Sequence, residues 1–351
     1  MTADTEPEKK QGGDDVADLK TAATATVTEG DRQAPTTDES ALQAEDDAAS
    51  STASINSSIM AYRTENGRTY HAFRESINYV LPNDSSEQER LDLQHHLFTL
   101  TLGGKLYLSP IGDDKPLSRA LDAGTGTGVW AIDFADAHPE TEVIGIDLSP
   151  IQPNFLPTNL QFQVDDLEDE WTFSYNFDFI FARMMTGSIG DFPKFFTQSF
   201  NALSPGGWVE CQDITFPAQC DDGTLKKDSY IDQWSSLMIE ATNKFGRTAE
   251  SAKFYKQQMI DAGFVNVTEV VYKWPTNRWP ADPYYKELGF WCNHNIAGEL
   301  SGLSMVLFTR GLGWSPEEVE VFLAKVRTDM KDRHIHAWWP IHVVYGQKPE
   351  A

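Results

Sequence analysis

The run Asp122-x-Gly124-x-Gly126-x-Gly128 is the densest concentration of residues in this chain that could do chemistry. Glycines let a backbone approach a ligand where any Cβ would collide, and they tolerate positive φ. An apolar-faced helix is expected over residues 129–135, and its free amides would point at the same place. Asp147 closes a second apolar stretch, 23 residues after Gly124, where a carboxylate can accept both hydroxyls of a ribose. Asp166, after Asp165, closes a third, where a carboxylate can accept from an adenine amino group. Either feature alone is ordinary, since glycine turns and strand-end acids also serve as caps and solvated loops. Three polar strand ends in register with one glycine turn are another matter. They converge on the carboxyl edge of the sheet, where open α/β folds bind their ligands.

The spacing narrows the ligand. A dinucleotide fingerprint is GxGxxG, with two residues between its second and third glycines. Here the pattern is GxGxG, preceded by an acid two residues before the first glycine. An acid there suits an ammonium group, which a pyrophosphate lacks. S-adenosylmethionine fits, its ammonium, ribose and adenine each meeting one acid. A nicotinamide oxidoreductase is disfavoured by the same spacing.

Positioning those residues needs strands separated by helical crossovers. Apolar runs at 119–123, 141–147, 160–166 and 177–182 predict successive strands, and a fifth follows the turn at 204–207. Their alternation with helices implies a parallel sheet covered on both faces. Residues 229–262 read as two helices, a strand begins at 263–270, and the last spans 336–347. Upstream, Ser85-Ser86-Glu87 reads as a helix start with acid in its first turn. His95 and His96 follow on that helix. As neighbours they point about 100° apart and cannot share a metal, so one packed and one solvated imidazole is expected, and no metal site.

Residues 121–130 (LDAGTGTGVW), followed by 143–149 (VIGIDLS), resemble class I S-adenosylmethionine-dependent methyltransferases. Residues 62–71, 81–84, 90–96 and 181–188 resemble, more narrowly, the fungal LaeA-type group, and the likeness covers about residues 60–350. It implies a Rossmann-like α/β fold with a seven-stranded sheet of order 3-2-1-4-5-7-6, the last strand antiparallel, and helical N-terminal and C-terminal additions. By the same likeness Asp122, Gly124, Thr125, Gly126 and Gly128 cradle the methionine moiety. Asp147 holds the ribose and Asp166 with the Leu167 backbone meets adenine, with Leu148 and Asp165 also expected to bind the cofactor. Arg183 and Met184 line the cofactor floor, and Tyr70 contacts the cofactor from the covering segment.

Composition sets the remaining bounds. The chain has 351 residues, with 28 Lys+Arg against 53 Asp+Glu and a net charge of −25. Nucleic-acid binding needs concentrated Lys/Arg, so that partner class is excluded. No apolar run approaches the ~18–20 residues of a membrane span, and the polar start of the chain predicts no signal peptide. The three cysteines are far apart, which suits a reducing, cytoplasmic protein, with the nucleus as the alternative. Residues 1–61 contain no aromatic residue, and 1–58 carry 13 acids against 4 bases. That stretch is expected to be a disordered acidic tail. Residues 62–112 are expected to form a helical cover. Residues 113–351 are expected to form the cofactor-binding domain, with acceptor-side helical insertions at about 217–262 and 274–335.

Methyl transfer from a sulfonium is an in-line displacement in which alignment supplies much of the rate. A general base is needed only for a nucleophile that keeps its proton. Asp213, His294, His334 and His336 are the candidates, and none is assigned a catalytic role. Six of ten tryptophans lie after residue 270, and an aromatic-rich cover suits a flat, apolar acceptor. The expected function is methylation of a small, aromatic or polyketide-like metabolite in fungal secondary metabolism. The alternative is a LaeA-like nuclear regulator that binds S-adenosylmethionine and acts through protein partners.

Overall fold

The computed structural model describes residues 60–73, 79–112 and 116–350. The acidic tail assigned to residues 1–61 lies outside them, except for its last two positions. The first elements are the short strands β1 (Arg63–Glu65) and β2 (Arg68–Tyr70), followed by helix α1 (Ser85–Thr101). The strand–helix alternation then supplies β3 (Arg119–Ala123), α2 (Val129–Ala137), β4 (Glu142–Asp147), β5 (Leu160–Val164) and β6 (Phe177–Arg183). After them come α3 (Phe192–Ala202), β7 (Leu203–Ile214), β8 (Gln219–Cys220), α4 (Tyr230–Lys244) and α5 (Tyr255–Asp261). The chain closes with β9 (Val265–Pro275), α6 (Pro283–Ala297), α7 (Leu300–Val306), α8 (Pro316–Lys331) and β10 (Ala337–Gln347).

The sheet runs β5-β4-β3-β6-β7-β10-β9. Strands β3 to β7 pair in parallel, and β10 is antiparallel to both β7 and β9. Counted from β3, with the two-residue β8 left aside, this is the order 3-2-1-4-5-7-6 with its last strand antiparallel. The β8 pair continues the β7 edge of β10, opposite Ala337 and Trp338. Burial explains why the strands are legible. In β6 every residue from Phe177 to Ala182 is buried, as a strand covered on both faces requires. Trp130 of α2 stacks on Phe181 at 3.7 Å between ring centroids, fixing α2 against the β6 face.

The covering segment is not helical throughout. Residues 63–70 form a hairpin, because Asn66 (φ 47°) and Gly67 (φ 77°) make the left-handed two-residue turn that an Asn-Gly pair favours. Arg68 then ties the hairpin down, donating to Asp84 at 2.5 and 2.8 Å and to Glu299 at 3.1 Å. Asp84 also caps α1, accepting from the Glu87 amide at 3.1 Å. Trp274 of β9 donates its indole N–H to Thr101 at 2.7 Å, holding the far end of α1. The expected split between the adjacent histidines is found: His95 is buried and His96 exposed. Among the described residues no helix is long and apolar enough to cross a membrane.

The glycine turn gives the first prediction. Gly128 has φ +81°, and an added Cβ would sit 2.4 Å from the Phe162 ring. Gly128→Ala is expected to destabilise the protein by about 2 kcal/mol or more, from left-handed strain plus overpacking. Urea unfolding at unchanged m-value would measure it.

Candidate active site

Strand β3 ends at Ala123, and the chain turns back at once. The amides of Gly124 and Thr125 both donate to the Ile146 carbonyl at 2.9 Å, which lays the glycine turn across the end of β4. Gly124 has φ +81°, and a Cβ there would meet the Met185 sulfur at 2.3 Å, so the turn and the β6 loop touch where only glycine fits. The Gly126 amide donates to Asp147 Oδ2 at 2.8 Å, and the Ser149 amide donates to Oδ1 at 2.9 Å. Each carboxylate oxygen of Asp147 thus keeps acceptor capacity for a further donor.

Asp122 is buried and receives one hydroxyl, from Thr125 at 2.5 Å. Burial pushes its carboxyl up to about 7, against the pull of the Thr125 hydroxyl and Arg183. Asp147 is also raised by burial, with its backbone donors opposing. A buried acid with so little compensation is a ready partner for a cation. Arg183, at the end of β6, supplies part of one: burial pushes its guanidinium down to about 10. It lies over the Phe98 ring at 5.1 Å and donates to His95 Nδ1 at 3.0 Å. His95 Nε2–H in turn donates to Asp133 at 2.9 Å. Burial and Arg183 hold His95 down to about 4, so the imidazole is neutral and its tautomer is set by these two partners.

Asp122, Asp147 and Arg183 line one cavity of about 200 Å³ at the carboxyl ends of β3 to β6, with His95, Phe98 and Asp133 outside its lining. The expected residues Asp122, Gly124, Thr125, Gly126, Asp147, Leu148, Asp165, Asp166, Leu167, Arg183 and Met184 all border it. Met184 does so from a left-handed backbone, φ 56°, where the chain leaves β6. Two expected residues do not border it. Gly128 stands behind, at the N-cap of α2. Tyr70 is fully buried in the core beneath the helical layer, with Arg63 over its ring, whereas Tyr79 reaches the cavity from the same segment.

The other half of the cavity is apolar: Ile214, Phe216, Trp234, Met238, Ile296, Leu303 and Leu307. Trp234 spends its indole N–H on Ser304 at 2.8 Å, so it offers the cavity only its ring. Trp234 and Met238 of α4, Ile296 of α6, Leu303 of α7 and Leu307 after it fall within the two insertions expected on the acceptor side, whereas Ile214 ends β7 and Phe216 follows it just before the first insertion. Glu87, Arg90 and Gln94 of α1 and Asn295 of α6 also border the cavity, all buried and none expected there from the sequence.

The candidate bases do not reach the cavity. Asp213 accepts from the Met185 and Thr186 amides at 2.9 Å and from the Tyr255 hydroxyl at 2.8 Å, anchoring the loop after β6. Burial pushes its carboxyl up to about 7. His294 donates to the Phe290 carbonyl at 2.8 Å on its own helix. His334 and His336 sit against Asp332 and Asp222 at the surface.

Comparison with known proteins agrees with this geometry. A family model described as a methyltransferase domain matches residues 93–269. Methyltransferase pytC of Aspergillus terreus is 41% identical over 305 residues, covering 86% of this chain and 93% of the relative. Secondary metabolism regulator LAE1 of Cochliobolus heterostrophus is 36% identical over 291 residues, covering 82% and 94%. Protein-methionine methyltransferase laeA of Emericella nidulans is 34% identical over 300 residues, covering 84% and 79%.

Proposed function

The chain belongs to the fungal LaeA-type group of class I S-adenosylmethionine-dependent methyltransferases, and from that premise we propose that it methylates a small, largely apolar metabolite inside the cavity just described. The observation that carries this reading is the continuity of the two halves: an acid-ringed end and an apolar end share one space. S-adenosylmethionine supplies a methyl group already activated on a sulfonium, so the protein's task is alignment and exclusion of water.

Each residue then has a defined task. Asp122 takes the ammonium of the methionine moiety, and Asp147, steadied by Gly126 and Ser149, takes the ribose hydroxyls. Asp165, Asp166 and Leu167 border the adenine. Arg183 is held by His95 and Phe98, its charge facing Asp122. The apolar wall seats the acceptor and keeps the reacting centre dry, which strengthens every charge interaction within it.

Two of the relatives, by name, act on a protein or as regulators, which favours a second reading in which the methyl goes to a polypeptide or the role is regulatory. One experiment separates them. The purified protein is incubated with methyl-labelled S-adenosylmethionine and an extract of fungal metabolites, and the label is then partitioned. Label in an extractable small molecule is the expected result. Label confined to polypeptide, or no transfer while a protein partner is captured, would overturn the small-molecule assignment.

A further inference from the structure

Asp122 and Arg183 carry opposite charges on one wall of the cavity, yet they form no hydrogen bond with each other. Strand β6 lies beside β3 with Phe181 opposite Asp122, so Arg183, two residues further on, leaves the sheet on the face that Asp122 occupies. Among the described residues the Asp122 carboxylate accepts only the Thr125 hydroxyl, and the Arg183 side chain makes a single hydrogen bond, from Nη2 to His95 Nδ1 at 3.0 Å. A guanidinium has five N–H donors. The Nε and Nη1 groups of Arg183 are unpaired among the described residues, and both retain accessible surface. The cover helix keeps the two charges apart. His95 of α1 accepts through Nδ1, which places its proton on Nε2, and that proton goes to Asp133 of α2 at 2.9 Å. Phe98, one turn further along α1, lies under the guanidinium at 5.1 Å, and the Phe181 ring lies at 5.9 Å. Released from these contacts, the guanidinium would pair directly with the neighbouring carboxylate and cancel it.

We infer that the methionine end of the donor is held as a zwitterion, its ammonium by Asp122 and its carboxylate by Arg183, and that His95 is the positioning residue that keeps the Arg183 guanidinium in place for it. The inference deepens the methyltransferase reading of the cavity and rests on it. The amino-acid end of S-adenosylmethionine carries its ammonium and its carboxylate on one carbon, so a site that takes the first must also meet the second. Without Arg183 that carboxylate would face Asp122 and Asp147, two charges of its own sign. A cation on the neighbouring strand, drawn off Asp122 but not neutralised, answers both charges at once. Only a neutral acceptor can hold it that way. A carboxylate at position 95 would also fix Arg183, but it would compete with the carboxylate of the ligand.

The test measures two ligands on the full chain by isothermal titration calorimetry at pH 8. They are S-adenosylhomocysteine and its decarboxylated analogue, which keeps the ammonium and lacks only the carboxylate. The parent protein should prefer S-adenosylhomocysteine by at least about tenfold, the worth of one hydrogen-bonded charge pair. Arg183→Met should bring the two ligands within about threefold of each other. His95→Leu removes both ring nitrogens and should cut the preference about fivefold, whereas His95→Asn, which puts an amide oxygen near the Nδ1 position, should restore it to within about twofold of the parent. Asp133→Ala, at a half-exposed position, frees the ring to turn and should lower the preference about threefold. 5′-Methylthioadenosine, which lacks the whole amino-acid end, should bind every variant within about twofold of the parent and so reports an intact nucleoside site.

A parent that binds the two ligands equally overturns the inference without any variant, and so does Arg183→Met with the parent's preference intact. The positioning role of His95 is overturned if His95→Leu keeps that preference, or if His95→Asn is no better than His95→Leu. Should the buried leucine variant fail to fold, an unchanged preference in Asp133→Ala overturns the role by itself. If neither S-adenosylhomocysteine nor 5′-methylthioadenosine binds the parent, the methyltransferase reading itself fails, and the two failures are thereby distinguished.

Discussion

Asp147→Ala is expected to weaken S-adenosylmethionine binding by two orders of magnitude or more, measured by isothermal titration calorimetry on protein whose circular dichroism is unchanged. Two separate losses add up. In the proposed complex the carboxylate accepts both ribose hydroxyls, and a hydrogen bond to a charged group contributes about 1.5–3 kcal/mol. Two of them give about 3 kcal/mol or more, which is a factor of at least about 100. The same carboxylate also accepts from Gly126 at 2.8 Å, and so holds the glycine turn in place. Alanine leaves that amide without its partner and frees the glycine turn. Asp147→Asn should lie between the two proteins, since it keeps one acceptor oxygen but loses the charge. An alanine variant that binds within threefold of the parent would remove the ribose assignment and the interpretation built on it.

What the sequence discloses and what it hides divide along physical lines. The strand ends were legible because a buried parallel strand must be a continuous apolar run, so an acid at its end stands out: Asp122, Asp147 and Asp166 all border the cavity. The strand order came with the family resemblance. The Asn66-Gly67 hairpin carried a readable turn signal within a segment otherwise read as helix. The cover was harder. Helix α1 buries Glu87, Arg90, Gln94 and His95 alongside Leu97 and Phe98, so its inward face has no apolar stripe for periodicity to find. Arg90 pairs locally with Glu87, but it also reaches Asn295, as His95 reaches Arg183, and no local rule reveals partners that distant. Tyr70 and Tyr79 illustrate the same limit. They lie nine positions apart in one segment, and only the tertiary path decides which one packs in the core and which borders the cavity.

Asp122 should make cofactor affinity depend on pH in a manner that one substitution abolishes. In the free protein burial holds its carboxyl up at about 7. A ligand ammonium pairs with the carboxylate and not with the neutral acid, so binding must displace a proton at any pH below that value. Affinity for S-adenosylmethionine is therefore expected to be level above about pH 7.5 and to fall toward tenfold per unit below 7. His95, held down to about 4, stays neutral through this window and adds no slope. Asp213 is raised to about 7 as well but does not border the cavity, so it serves as an internal contrast. Asp122→Asn should bind at least about 100-fold more weakly at pH 8, because breaking a buried charge pair costs about 3–5 kcal/mol. Its residual binding should be nearly flat between pH 5.5 and 8. The stability of the free protein should move the other way. A carboxyl whose pKa is raised on folding contributes stability below its unfolded value near 4, and that contribution is lost as pH rises through 7. Without cofactor, Asp122→Asn should then be the more stable protein at pH 8, and the difference should vanish toward pH 4. A buried charge that Thr125 and Arg183 compensate only in part weakens the empty fold, and a binding site retains such a charge at the expense of stability. A variant that keeps the parent's pH slope, or gains no stability at pH 8, would show that Asp122 is not the group that receives the cation.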